Sequence, residues 1–311
     1  MKAIRLTKTF GQLTPDEFGR LLLSAGVWLL ILLLLVCGNN KVLAQASRVE
    51  SGMAELGNGK LYYEVMGRGR NVVLIHGGLA DSRLWDDQFK ALAKHYRVLR
   101  YDLRGFGKSD FSMGPLSHVE DLAALLKFLR IEKASFIGLS LGGMIAMDFA
   151  LEHPAMVERL VLAASGLRGY QGVKNEKAIA VSKAAETEGR EKAIALWLEH
   201  PFFATGKSNP SYQQRMREML TDNFRTWGPT PAPIVWTWPT RPVIEKLQAI
   251  KAPTLVIVGD MDFSNITAIA DILAAKIPGA KKAVMTNVSH HLNMEKPQEF
   301  NQLVLSFLRR K

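Results

Sequence analysis

Gly138-Leu139-Ser140-Leu141-Gly142-Gly143 sets one serine among three glycines, straight after a short apolar run and straight before a helix-like one. Glycine weakens strands and helices alike, by roughly 0.5–1 kcal/mol relative to alanine, so something has to compensate. The pattern G-x-S-x-G between a strand and a helix is a nucleophile elbow. Its turn is so sharp that only glycine fits close to the serine, whose hydroxyl is pushed out above the sheet. The same glycines would also suit a tight turn with an idle serine; the flanking strand and helix favour the elbow. A serine hydroxyl is a poor nucleophile without a base, and the base needs an orienting acid. In this arrangement the acid and the histidine follow the serine in the order Ser…Asp/Glu…His. Downstream, the apolar run Leu255–Val258 ends in Gly259-Asp260-Met261-Asp262, and Asn287-Val288-Ser289-His290-His291 follows the next helix and strand. Both groups lie just beyond strand C-termini, where open α/β sheets place their sites. On residue types alone, Asp260 and Asp262 compete as the acid, and His290 and His291 as the base.

These side chains need a scaffold, and the chain alternates as a parallel sheet requires. Strands are predicted at Leu61–Val65, Val72–His76, Arg97–Tyr101, Ala134–Ile137 and Leu160–Ala164. Helices are predicted at Asp86–His95, Val119–Arg130 and Gly143–Leu151. From Leu167 to Arg241 no strand is convincing, and helical stretches at Ala178–Ala185, Glu191–Glu199 and Tyr212–Phe224 take over. Alternation resumes with a strand at Thr254–Val258, a helix near Ala268–Lys276, a strand at Ala283–Met285 and a helix at Pro297–Leu308. The fold expected is α/β: a mostly parallel central sheet with helices on both faces, in two stretches, 47–166 and 243–311. The intervening residues 167–242 form a helical cap, too long for an ordinary loop.

At this point the chain resembles the α/β-hydrolase family, its serine-hydrolase branch with a helical cap, over essentially all of residues 54–311. The matching segments are LIHGG (Leu74 to Gly78), YDLRGFGKSD (Tyr101 to Asp110), GLSLGG, PTLVIVGDMD (Pro253 to Asp262) and SHHLNMEKP (Ser289 to Pro297). The resemblance implies Ser140 as nucleophile, Asp262 as acid and His290 as base. In the family the histidine falls five residues before the Glu of an E-x-P segment, here Glu295; His291 would need a one-residue slip. It also implies an oxyanion hole from the backbone N–H groups of Leu141 and Gly78, with His76 holding the latter's loop. Two positions depart from the family pattern: Leu139, where a His or Gln normally precedes the serine, and Ser289, where a glycine is common. The activity implied is cleavage of a small-molecule carboxylic ester or lactone through an acyl-enzyme, with no cofactor and no metal. The same triad also serves C–C bond hydrolases and perhydrolases, and a ligand-binding protein with little turnover would keep the fold. Relatives that use an Asp nucleophile, the haloalkane dehalogenases and epoxide hydrolases, are disfavoured by Ser140. Trp85, Trp197, Phe202, Phe203, Trp227, Trp236 and Trp238 are candidates to wall an apolar substrate pocket, or simply pack the cap onto the core.

Composition bounds the remainder. The 311 residues are 48% hydrophobic, enough for a sizeable core. Lys2, Arg5, Lys8 and Arg20 precede the uncharged stretch 21–37, and Val42-Leu43-Ala44-Gln45-Ala46 follows with A-x-A spacing. Residues 1–46 thus read as a secretory signal or, alternatively, an uncleaved membrane anchor through 21–37. Export is expected, to the periplasm or beyond, or to the inner membrane if the anchor is kept. Of the net charge of +11, the leader's five cations and two acids carry +3, leaving about +8 on the body. No block of five or more basic residues occurs, which argues against nucleic acid as a partner. Cys37 is the single cysteine, so no intramolecular disulfide forms and no cysteine metal site exists. Gly105-Phe106-Gly107-Lys108-Ser109 resembles the end of a phosphate-binding loop, but Asp102 occupies the position of that motif's first glycine. His290-His291 lacks the HExxH spacing of a zinc site.

Overall fold

A strand buried on both faces has no polar side to show, and two stretches of this chain read that way. In a computed structural model, which describes residues 48–57, 59–111, 114–229, 235–239 and 241–310, they are the central strands β5 (Ala134–Leu139) and β7 (Thr254–Gly259). Every residue of both is buried, as expected of parallel strands covered above and below. The other strands are β1 (Glu50–Glu55), β2 (Lys60–Met66), β3 (Asn71–Ile75), β4 (Arg97–Tyr101), β6 (Val157–Ala163) and β8 (Lys281–Met285). They form one eight-stranded sheet in the order β1-β2-β4-β3-β5-β6-β7-β8. β2 runs antiparallel to both β1 and β4, and all other neighbours are parallel. The edges are polar: β8 begins Lys281-Lys282, and in β1 Ala54 alone is buried. Such charged, half-exposed edges discourage pairing with another chain.

The helices in the two core stretches are α1 (Asp86–Leu92), α2 (His118–Phe128), α3 (Leu141–Glu152), then α8 (Ser264–Lys276), α9 (Leu292–Glu295) and α10 (Pro297–Leu308). Ser117 starts α2 by accepting the Glu120 N–H at 3.2 Å, a side-chain cap that satisfies one of the helix's orphan donors. α3 packs on β5 and β6, α8 on β7, and α10 on α1.

Between β6 and β7 the described residues hold helices and no named strand: α4 (Glu176–Thr187), α5 (Arg190–Leu198), α6 (Pro210–Asp222) and α7 (Phe224–Trp227). Asn175 and Asn209 cap α4 and α6 by accepting the N–H groups of Ala178 (3.1 Å) and Tyr212 (3.2 Å). The predicted helix over Tyr212–Phe224 breaks at Asn223, because that buried side chain is taken up elsewhere. Asn223 donates to Asp81 Oδ2 (2.9 Å) and to the Met219 carbonyl (2.8 Å), and accepts the Gly107 N–H (2.7 Å). It thereby ties the inserted segment to two loops at the C-terminal ends of the strands. The expected leader, residues 1–46 with its apolar stretch 21–37, lies outside the described residues. Among the described residues no helix is long and apolar enough to cross a membrane.

Candidate active site

Ser140 is the single residue between β5 and α3, and its backbone sits at φ 55°, ψ −111°. A side-chain-bearing residue at positive φ is strained, at a cost of order 1–3 kcal/mol. The surroundings hold it there. The Ser140 N–H donates to the Ala163 carbonyl (3.0 Å), and its own carbonyl accepts from Gly143 (3.1 Å), Met144 (3.2 Å) and Gly166 (3.2 Å). The flanking glycines allow the close approach. A Cβ on Gly138 would stand 2.2 Å from the Gly142 carbonyl oxygen, and one on Gly142 would stand 2.1 Å from that of Ile75. Both contacts are with backbone, which cannot move aside without disturbing the sheet.

His290 Nδ1 lies 3.0 Å and 3.2 Å from the two carboxylate oxygens of Asp262. Both residues are buried. A carboxylate only accepts, so Nδ1 carries the proton and Nε2 is the free acceptor of the neutral ring. Asp262 Oδ1 also accepts the Phe263 N–H at 2.7 Å, which fixes the carboxylate plane. Asp260 is exposed, with its backbone N–H still bonded to Met285 at 3.0 Å, so the carboxylate against the histidine is that of Asp262. His291 is buried and bonds through Nδ1 to the Tyr212 hydroxyl (2.9 Å) rather than to a carboxylate. Burial first, then the neighbouring His290, depresses the His291 pKa far below the ordinary histidine value. Among the described residues no cluster of three or more His, Cys, Asp or Glu could hold a metal.

Ser140, His290, Gly78 and Leu141 all line one cavity of about 290 Å³. Residues 70–297 match the family model described as the alpha/beta hydrolase fold. The chain belongs to the α/β-hydrolase fold family. A 3-oxoadipate enol-lactonase of Acinetobacter baylyi is 28% identical to it over 235 residues, covering 74% of this chain and 85% of that protein. Carboxylesterase YbfK of Bacillus subtilis is 26% identical over 250 residues, covering 76% and 80% of the two chains. The crystal structure of a hydrolase from Pseudomonas aeruginosa PA01 superposes with a TM-score of 0.71 at 29% identity, covering 84% of this chain and 99% of that one. Hydrolases, esterases and lactonases are thus among the relatives of this chain.

Its cavity is walled by Leu79, Leu141, Met144, Trp197, Phe202 and Trp236, with no acidic, lysine or arginine side chain among the described residues of the lining. Four aromatic residues expected there lie elsewhere. Trp85 is fully buried in the core, 6.0 Å from the ring of Phe300, because the turn into α1 aims it at α10. Phe203 is also fully buried and packs on His291 (4.9 Å); on the tight turn 201–203 adjacent side chains diverge, and Phe202 takes the cavity instead. Trp238 borders a separate surface depression with Glu120 and His153, under the guanidinium of Arg168. Trp227 backs Trp197 edge-on at 6.5 Å without reaching the cavity lining. Met144 and Leu79 were not singled out from the sequence, although each lies within four residues of Ser140 or Gly78 and so had a positional signal.

Two neutral imidazoles brace the site. His76 Nε2 accepts the Leu103 N–H (2.9 Å), so Nδ1–H donates to the Gly77 carbonyl (2.8 Å) in the loop that carries Gly78. Burial is the main reason its pKa is lowered. His200 Nδ1 accepts the Phe202 N–H (3.1 Å) and Nε2–H donates to Asn175 (2.9 Å), fixing the turn that bears Phe202. Burial, then the neighbouring His290, lowers His200 to about 4.

Proposed function

We propose that this α/β-hydrolase cleaves an uncharged carboxylic ester or lactone by serine catalysis. The observation that carries the reading is the buried Asp262–His290 pair beside the strained Ser140, on one apolar cavity. His290 Nε2 takes the hydroxyl proton as Ser140 Oγ attacks the carbonyl carbon. The N–H groups of Gly78 and Leu141 hold the oxyanion of the tetrahedral intermediate. Asp262 steadies the imidazolium, which then protonates the leaving alkoxide. A water, deprotonated by the same Nε2, attacks the acyl-enzyme and releases the acid. A lactone follows the same path with its alcohol still tethered.

The lining supports a neutral substrate. An anionic acyl chain would lose its hydration among Leu79, Met144, Trp197, Phe202 and Trp236, with no lysine or arginine among the described lining residues to replace it. The inserted segment supplies three of those five residues and acts as the cap over the site. The same reading makes the enzyme an exported one, on the strength of the basic start, uncharged stretch and small residues of the leader. N-terminal sequencing of the fractionated protein tests that part. A fluorophosphonate probe tests the chemistry: it labels the parent and leaves Ser140→Ala and His290→Ala unlabelled. Absence of labelling in a folded parent would sink the serine-hydrolase reading.

A further inference from the structure

The loop that carries His290 is gripped by the inserted segment at three consecutive residues. The Ser289 N–H donates to Thr205 Oγ1 at 2.9 Å. The ring of Phe202 stacks on the His290 imidazole with centroids 4.1 Å apart and planes 18° from parallel. His291 is held by Tyr212 and Phe203. One acidic group joins the two sides. Glu295 Oε1 accepts the Ser289 hydroxyl (2.7 Å), and Oε2 accepts the Ser289 N–H (2.8 Å) and the Thr205 hydroxyl. Each hydroxyl has one proton, and the short contacts send both to Glu295. A carboxylate with three donors converging on it is an acceptor at every contact, a role a carboxamide could fill only in part.

Ser289 is fully buried, so its partners cannot be replaced by water without opening the loop. Thr205 belongs to the inserted segment, while Ser289 follows β8 in the core. Nothing in the elbow or in the Asp262 contact requires position 205 to be a hydroxyl. We propose that Glu295 and Thr205 are positioning residues: docking of the inserted segment through Thr205–Glu295–Ser289 sets the plane and reach of the His290 imidazole toward Ser140. This inference rests on the serine-hydrolase reading. The cap is then part of the proton-transfer machinery, and a cap that lifts releases the histidine loop with it.

The test compares Thr205→Val, which keeps the shape and removes the hydroxyl, with Thr205→Ser, which keeps it. In Thr205→Val, kcat on a small neutral ester falls roughly tenfold or more with KM little changed, since a hydrogen bond to a charged group is lost. The rate of fluorophosphonate labelling falls in parallel. Thr205→Ser stays within about twofold of the parent on both measures. Glu295→Gln, which turns one acceptor into a donor, behaves as Thr205→Val does. Circular dichroism and the thermal midpoint confirm that each variant is folded. Should Thr205→Val not fold, Glu295→Gln and Thr205→Ser carry the comparison. A folded Thr205→Val with parental kcat and labelling rate overturns the positioning role while leaving the serine hydrolase intact. A loss confined to KM overturns it as well, because the threonine would then serve substrate binding alone. An unlabelled folded parent defeats the serine-hydrolase reading itself, and this inference with it.

Discussion

Replacing Asp262 by Asn tests the hydrogen-bond polarity of the site with almost no change in shape. The Phe263 N–H donates to Asp262 Oδ1 at 2.7 Å, so the asparagine must present its carbonyl oxygen there. Its NH₂ then occupies the Oδ2 position, 3.0 Å from His290 Nδ1. A donor now faces Nδ1, which has to accept, and the ring proton moves to Nε2. That nitrogen can no longer take a proton from Ser140. The same exchange in other serine triads lowers kcat by about 10⁴-fold, equivalent to roughly 5.4 kcal/mol on the barrier. The assay is kcat and kcat/KM on a small neutral ester, with folding checked by near-UV circular dichroism. Asp260→Asn is the companion, and it stays within about twofold of the parent because the Asp260 side chain is exposed. A folded Asp262→Asn with more than a tenth of parental kcat would refute the tautomer argument. Equal losses in the two variants would refute the assignment of the acid.

Three further outcomes follow from the same geometry. Gly142→Ala puts a methyl group 2.1 Å from the Ile75 carbonyl oxygen and 2.7 Å from that of His76, both backbone, so urea unfolding shows a loss of about 1–3 kcal/mol or more; unchanged stability would mean the elbow is looser than described. His118 is held down to about 3 by burial, then by the neighbouring His76 and the guanidinium of Arg104. The unfolded chain, with a histidine near 6.5, therefore binds one more proton than the fold between that pH and about 3. This residue accordingly removes up to about 1.4 kcal/mol of stability per pH unit on acidification through that window, and His118→Phe reduces the slope of unfolding free energy against pH by that amount. An unchanged slope in a folded variant would refute the neutral buried state. Trp236→Ala enlarges the cavity at its rim, raising kcat/KM for a long-chain ester relative to a short one by about tenfold; an unaltered ratio would remove Trp236 from the acyl path.

How far the residues themselves announce this site depends on what kind of contact makes each part. β5 and β7 are legible because a strand buried on both faces is almost wholly apolar, Ser135 and Thr254 being the exceptions here. The elbow is legible because the steric demand is local: the atoms that forbid a Cβ at Gly138 belong to Gly142 and Gly143. β1 is not legible. Glu50-Ser51-Gly52-Met53-Ala54-Glu55 has no β-branched residue and buries only Ala54, and it is a strand because β2 offers it an antiparallel edge from Glu50–Val65 to Glu55–Lys60. The acid is an intermediate case. Asp260 and Asp262 look alike in sequence, but the Asp260 N–H continues toward β8 while two residues later the chain has turned to bring a carboxylate to His290. The aromatic wall is least legible, because ring direction on a tight turn is decided by distant partners. Phe202 and Phe203 are adjacent and of one type, yet one stacks on His290 and the other packs at a tilt against His291. Trp85 packs in the core beside Phe300, more than 200 residues on. Thr205 carries the same lesson further. Its hydroxyl is ordinary in the sequence, and only the fold places it against Glu295, beside the histidine whose position it holds.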